Sequence, residues 1–200
     1  MTLYESFFKP FPAFKTGRLW LRAAKRNDLN ALFDYCSREE VARYLPWSAH
    51  ENIETTRGYL NYLLRGYERG ECMTWVIERN LDRRVIGTAS FTTMEKDYKI
   101  ASLGYVISSD VWGEGYAAEA AGVLIRYGFS VIGLVRIEAS CMCENLSSAR
   151  VMEKLGMSFE GTLRNGAYFK GAPHDVFLYA LTKERYFGIS SNHLGGVVIR

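Results

Sequence analysis

Residues 111–120, Val-Trp-Gly-Glu-Gly-Tyr-Ala-Ala-Glu-Ala, hold the chemistry that is easiest to read in this chain. Gly113 and Gly115 stand at alternate positions between an apolar run ending at Ile107 and an alanine-rich segment reaching Phe129. That order predicts a strand, a tight turn and a helix start. The first N–H groups of a helix lack intrahelical acceptors and lie at the positive end of the macrodipole. An anion fits there, and a diphosphate fits best. Glycine removes the Cβ and permits positive φ, so the backbone from Gly113 through Glu114, Gly115, Tyr116 and Ala117 to Ala118 can close on a phosphate. A helix start that only needs flexible residues has the same pattern, and the turn alone does not choose between the two.

Further polar residues stand at telling positions, each with a plainer alternative. Asn145 and Ser148 head a helical segment, where Asn145 serves either as an N-cap or as a ligand contact. His50 and Glu51 follow an aromatic hinge, Pro46-Trp47-Ser48-Ala49, and His174-Asp175 reads as a base with its orienter or as surface polarity. Tyr44, Trp47, Tyr59, Tyr62 and Tyr67 fit the core of a helical hairpin, with Tyr44 and Trp47 also placed to line an acceptor groove. Arg150 and Lys154, four apart, form a solvated helix face or touch a phosphate. The four cysteines, Cys36, Cys72, Cys141 and Cys143, match no metal or disulfide spacing, so no metal is expected and the thiols are expected reduced in a cytoplasmic protein.

The elements that must position these groups follow from periodicity. Residues 16–23 alternate as a half-buried strand, Leu19 and Leu21 inward against Arg18 and Arg22 on the solvent face, and two helical stretches follow, the first capped by Asn27 or Asp28 and the second closed by Gly70. Three short strands with turn residues between them, 74–78, 85–94 and 100–108, predict an antiparallel meander. The glycine turn and its helix come next, then an alternating strand at 135–143, a helix at 145–155 ended by Gly156, and two final strands. This order predicts an α/β (α+β) fold with a mixed, mostly antiparallel sheet of about seven strands and helices on both faces. With 200 residues and 48% hydrophobic content the chain suits one domain, read as residues 16–186 between an extension at 1–15 and a tail at 187–200 without clear period. A net charge of +3, interspersed, does not argue for nucleic acid. The first residues lack the form of a signal peptide and no run is long enough to span a bilayer, so no membrane association is expected.

Val111–Ala118 together with Glu144–Gly156, Glu-Asn-Leu-Ser-Ser-Ala-Arg-Val-Met-Glu-Lys-Leu-Gly, resembles the GNAT superfamily of N-acetyltransferases, and more closely its RimJ/RimL-like branch, which includes acetyltransferases of ribosomal-protein N-termini. The resemblance runs from Thr16 to Tyr186. It implies acetyl-CoA as co-substrate, with Trp112, Gly115 and Ala117 at the marked places of the diphosphate loop. It also implies that the strand around Val106 and Ile107 pairs with the pantetheine arm, that a bulge near residues 106–108 opens the gap for it, and that Asn145 contacts the arm.

The implied reaction is direct attack of an amine on a thioester. It needs a neutral amine, a polarised carbonyl and a proton for the leaving thiolate. A backbone N–H near Val106 or Ile107 is placed for the oxyanion, a contact worth about 3 kcal/mol when lost. Many superfamily members carry a tyrosine acid where this chain has Met152, which moves the role to Ser148 or to water. Related chains often carry glutamate at the position of Ser102, so the base falls to Glu51, His50, Glu78 or Tyr105. Deprotonating a lysine amine at pH 7 costs roughly 4.6 kcal/mol, against about 1 for an α-amine. Missing carboxylates therefore favour an N-terminal α-amine of a protein or peptide as acceptor. A small-molecule amine and a non-catalytic CoA-binding module are the alternatives, and either a monomer or a homodimer is expected.

Overall fold

The computed structural model describes residues 8–95 and 97–193. Eight strands form one sheet: β1 (Phe14–Lys15), β2 (Leu19–Arg22), β3 (Thr74–Arg79), β4 (Val85–Glu95), β5 (Ile100–Ile107), β6 (Arg136–Met142), β7 (Ser158–Phe169) and β8 (Ala172–Thr182). Their spatial order is β1-β2-β3-β4-β5-β6-β8-β7, antiparallel throughout except between β5 and β6. The mixed sheet expected from sequence is present, one strand larger because Phe14–Lys15 forms a short edge.

Two cores lie on the two faces. On one, α4 (Tyr116–Tyr127) and α5 (Leu146–Lys154) cover Ile77, Ala89, Phe91 and Leu103. On the other, α1 (Leu29–Cys36) and α3 (Ile53–Arg69), joined through the one-turn α2 (Glu39–Ala42), pack on Val76 and Val85, with Val106 at the margin. The strand alternation dictates this split, since neighbours such as Val76 and Ile77 must face opposite ways. Helix α3 starts where Asn52 accepts from the Thr55 N–H at 3.1 Å, and ends at Gly70 with φ 74°.

Several local expectations change. Asp28 does not cap α1 with its side chain. Its carboxylate takes the Lys25 N–H and the Arg22 guanidinium, which also bonds Glu78 at 2.7 Å. Arg22, expected on a solvent face, is thereby buried, because two carboxylates compensate its lost hydration. The tail read without period continues instead as α6 (Lys183–His193), with Tyr186 against Phe129; residues 194–200 lie outside the described residues. Of the extension, Phe8, Phe11 and Phe14 stack around the fully buried Trp75, whose indole N–H donates to Pro12 O at 2.7 Å.

The feature that matters for function is a gap. β5 and β6 pair only over Ile100–Ser102 with Arg136–Glu138, and beyond Ser102 they part. The bulge expected at 106–108 lies earlier, where the β4 register shifts between Phe91 and Thr93 opposite Leu103 and Ser102. An extra residue there sharpens the local twist at the very point where the parallel pairing stops.

Candidate active site

Gly113 and Gly115 both hold φ 82°, the left-handed region that a side chain disfavours. Gly115 is the N-cap of α4, and no side chain caps that end. The first N–H groups of the helix, from Tyr116 to Ala118, thus face outward without an intrahelical acceptor. A Cβ on Gly113 would meet open space; one on Gly115 would lie 3.5 Å from Lys154 Nζ and 3.7 Å from Arg18 Nη2. Arg18 also donates to Glu114 O at 2.9 Å, stacks on Tyr116 at 4.6 Å and pairs with Glu119. Two cations therefore flank an uncapped helix start. Trp112 is half-exposed and donates its indole N–H to Ile107 O at 2.8 Å, tying the turn to the end of β5.

The segment between β5 and the turn is held by charge. Ser108, fully buried, donates to Asp110 Oδ1 at 2.5 Å. Arg84 bridges Asp110 at 2.5 Å and Asp34 of α1 at 2.7 Å, and Arg38 reaches Asp110 and the Ser109 hydroxyl. Burial would raise the Asp110 carboxyl pKa, but Arg84, Ser108 and Arg38 hold it down to about 2.

At the gap, the ladder fixes which groups are free. Ser108 N–H bonds to Ile86 O, and in an antiparallel ladder every second residue repeats that orientation. Val106 thus spends its backbone groups on β4, and Tyr105 and Ile107 turn theirs toward the gap, where the Ile107 carbonyl is already taken by the Trp112 indole and its N–H is left. Of the two residues expected to polarise a carbonyl, Ile107 is the one so placed. The Tyr105 side chain crosses to α5, where its hydroxyl lies 2.9 Å from Ser148 Oγ and donates to Ser148 O at 3.1 Å. Burial raises the Tyr105 pKa, so the phenol is neutral. Two residues named separately from sequence meet as one hydroxyl pair.

On the opposite face of β5, Val106 and Thr88 floor a cavity of about 190 Å³. Tyr35 and Cys36 of α1, Tyr59 of α3, and Trp47 and His50 of the connection before α3 close it. Burial pushes the Cys36 thiol up to about 12 and raises Tyr35 and Tyr59, so these walls are uncharged. His50 is lowered by burial and its Nδ1 lies 2.8 Å from Thr56 Oγ1. Among the described residues the buried Tyr35 hydroxyl has no partner in hydrogen-bond geometry, and Thr88 and Cys36 are its polar neighbours.

The remaining expected residues are distributed as follows. Trp47 lines the cavity, whereas Tyr44 does not and Glu51 is exposed outside it. Glu78 is buried in ion pairs with Arg22 and Arg83, which removes it as a base. His174 stacks on Phe169 and Asp175 accepts from the Asn165 N–H, so that pair organises the β7–β8 hairpin. Asn145 caps α5 by accepting from the Ser148 N–H at 3.1 Å. Met152 is fully buried and Ser102 engages Thr93. Arg18 went unseen, because a lone arginine in an alternating strand gives no signal of a loop 96 residues away.

A family model for the Acetyltransferase (GNAT) domain matches residues 18–158. The chain belongs to the GNAT acetyltransferase family. This acetyltransferase is 34% identical over 175 residues to the uncharacterized N-acetyltransferase YoaA of Bacillus subtilis (strain 168), covering 88% of this chain and 99% of that one. A GNAT-family acetyltransferase of Bacillus anthracis superposes with TM-score 0.77 at 28% identity, over 86% of this chain and 99% of the other. RimL, a ribosomal L7/L12 alpha-N-protein acetyltransferase in complex with coenzyme A, shares the fold with TM-score 0.75 at 23% identity, over 85% and 97%. The acetyltransferase uses acetyl-CoA, and the open, cation-flanked start of α4 suits a diphosphate. Among the described residues no cluster of three or more metal-ligating side chains occurs, and no helix is long and apolar enough to cross a membrane.

Proposed function

We propose that this acetyltransferase acetylates the α-amine of a protein or peptide N-terminus by direct attack on acetyl-CoA. The observation that carries this reading is the uncharged cavity beside Val106, which offers no carboxylate to a cationic acceptor. A lysine or polyamine ammonium entering it would meet the roughly 4.6 kcal/mol deprotonation cost without an anionic partner, against about 1 kcal/mol for an α-amine. The cavity is also smaller than the ~300–1,000 Å³ of ordinary small-molecule sites, as suits one terminal residue entering end-on. RimL, whose fold this chain shares, is an alpha-N-protein acetyltransferase.

In this reading the N–H groups from Gly113 to Ala118, with Arg18 and Lys154, hold the diphosphate. Trp112 braces the loop. The outward edge of Tyr105 and Ile107 takes the pantetheine arm beside Asn145, and Ile107 N–H meets the developing oxyanion. The Tyr105–Ser148 pair passes a proton to the leaving thiolate from the side opposite the cavity. Trp47 contacts the acceptor, with Tyr44 further out on the same connection. Glu51, exposed, is assigned no proton. The four free cysteines suit a reducing cytoplasm.

Thiol release from acetyl-CoA tests this with three acceptors at equal concentration and pH 7: a free α-amine peptide, an N-terminally blocked lysine peptide and spermidine. Fastest release with the first is expected. Faster turnover of spermidine or of the lysine peptide overturns the reading, and CoA binding without turnover of any amine marks a non-catalytic module.

A further inference from the structure

We propose that His50 is the general base of this transfer, its Nε2 taking the proton from the acceptor ammonium at the cavity while Thr56 holds Nδ1. The inference deepens the N-terminal reading above and rests on it. Position comes first. His50 lines the same cavity as Val106, and the residues on either side of Val106 turn their backbone groups to the gap where the thioester lies. An amine held in the cavity therefore has the histidine on one hand and the reacting carbonyl on the other.

The ring is also aimed. Its Nδ1 is 2.8 Å from the hydroxyl of the fully buried Thr56, its backbone N–H donates to Cys36 O at 2.9 Å, and it sits between Trp47 at 5.4 Å and Tyr59 at 6.4 Å. Assigning the proton to Nδ1, donating to Thr56, leaves the Nε2 lone pair without a partner among the described residues. The half-buried ring is fixed on three sides while its Nε2 is not enclosed, so an incoming ammonium can reach it, as a base requires.

The surroundings agree. Among the described residues, the groups that line the cavity with His50 or bond its ring are uncharged: Tyr35 and Cys36 from α1, Thr56 and Tyr59 from α3, Trp47 from its own connection, Thr88 and Val106 from the sheet. Burial lowers its pKa, so the ring is neutral at pH 7 and ready to accept. Such a base is matched to an α-amine and too weak for a lysine. The orphaned Tyr35 hydroxyl in the same cavity is a second sign that a polar ligand belongs there.

The proton balance closes. His50 Nε2 takes one proton from the ammonium and returns it to solvent. The freed nitrogen forms the C–N bond, the C–S bond breaks, and the attacking nitrogen's surplus proton replaces the one that the Tyr105–Ser148 pair gives to the thiolate. One proton is released per turnover.

The test uses the full chain, acetyl-CoA and a free α-amine peptide. In H50Q, kcat should fall about 100-fold or more, with acetyl-CoA affinity by calorimetry unchanged. The wild-type fall in kcat below the usual histidine range should disappear, leaving only the amine's own ionisation. T56V, which keeps the ring but frees it to turn, should lose less and keep the inflection, and imidazole should restore part of the H50A rate. In the protein without acetyl-CoA, the His50 ring signals, assigned by their loss in H50Q, should shift when the N-acetylated peptide is added. H50Q turning over within threefold of wild type, or keeping the inflection, overturns the assignment of His50 alone. A wild-type protein that releases no thiol with any peptide overturns the N-terminal reading and His50 with it.

Discussion

The two sides of the β5 gap are built from different materials. The carrier side is mostly backbone: two left-handed glycines, an uncapped helix start and the outward edge of a strand, with Arg18 and Lys154 beside them. The acceptor side is side chains from α1, the connection before α3, α3 itself and two strands, closed around about 190 Å³. A backbone site needs only a short run of residues in order, whereas a side-chain site needs the whole fold before any of it exists. Damage to each should therefore read out separately.

Removing the hydroxyl pair at the junction should cost most. The double variant Tyr105→Phe, Ser148→Ala should lower kcat by about 100-fold or more, with either single variant milder because the hydroxyls substitute for one another; single-turnover rates check it. Gly115→Val should come next, weakening acetyl-CoA by well over tenfold in calorimetry while acceptor KM stays level, since a β-branched residue at φ 82° must deform the turn. The fold should survive a strain of about 1–2 kcal/mol. Arg18→Ala and Lys154→Ala should each weaken acetyl-CoA by roughly tenfold at low salt and less at 1 M, as partly exposed charges are screened. Trp47→Ala should raise acceptor KM a few-fold and leave acetyl-CoA affinity alone; a loss of acetyl-CoA affinity there would break the separation of the two sides. The smallest effect belongs to Asp110→Asn. Its carboxyl is held down to about 2, so the stability it adds is present above the ordinary value of about 4 and is lost as pH falls through about 2. The Tm difference from wild type should therefore be full at pH 7 and close between pH 4 and 2.

How much the sequence disclosed follows the same division. The glycine turn, α4, and the Asn145–Gly156 segment were legible because caps, glycines and periods are local signals. Tyr105 and Ser148 could be named but not joined, since 43 residues separate them and only the packing of α5 on β5 makes them neighbours. Trp47 could be named for an acceptor groove, but the cavity walls from α1 and its floor on the sheet left no local trace, and neither did Arg18. Glu78 looked like a base because a lone glutamate in a strand gives no hint that Arg22 and Arg83 already claim it. The misplaced bulge has the same origin: the step falls where β4, not β5, carries the extra residue.

The aromatic arm ahead of β2 sets a limit on trimming. Residues 18–158 match the family model, yet Phe8, Phe11, Pro12 and Phe14 lie before it and roof Trp75. A version of the chain begun at residue 18 would strip three rings from an indole that is now wholly enclosed and orphan its N–H, a penalty of about 1–3 kcal/mol for that bond alone. Expression designs cut to the alignment boundary would thus open the hydrophobic interior at its aromatic end, and insolubility of such a fragment would say nothing against the enzyme.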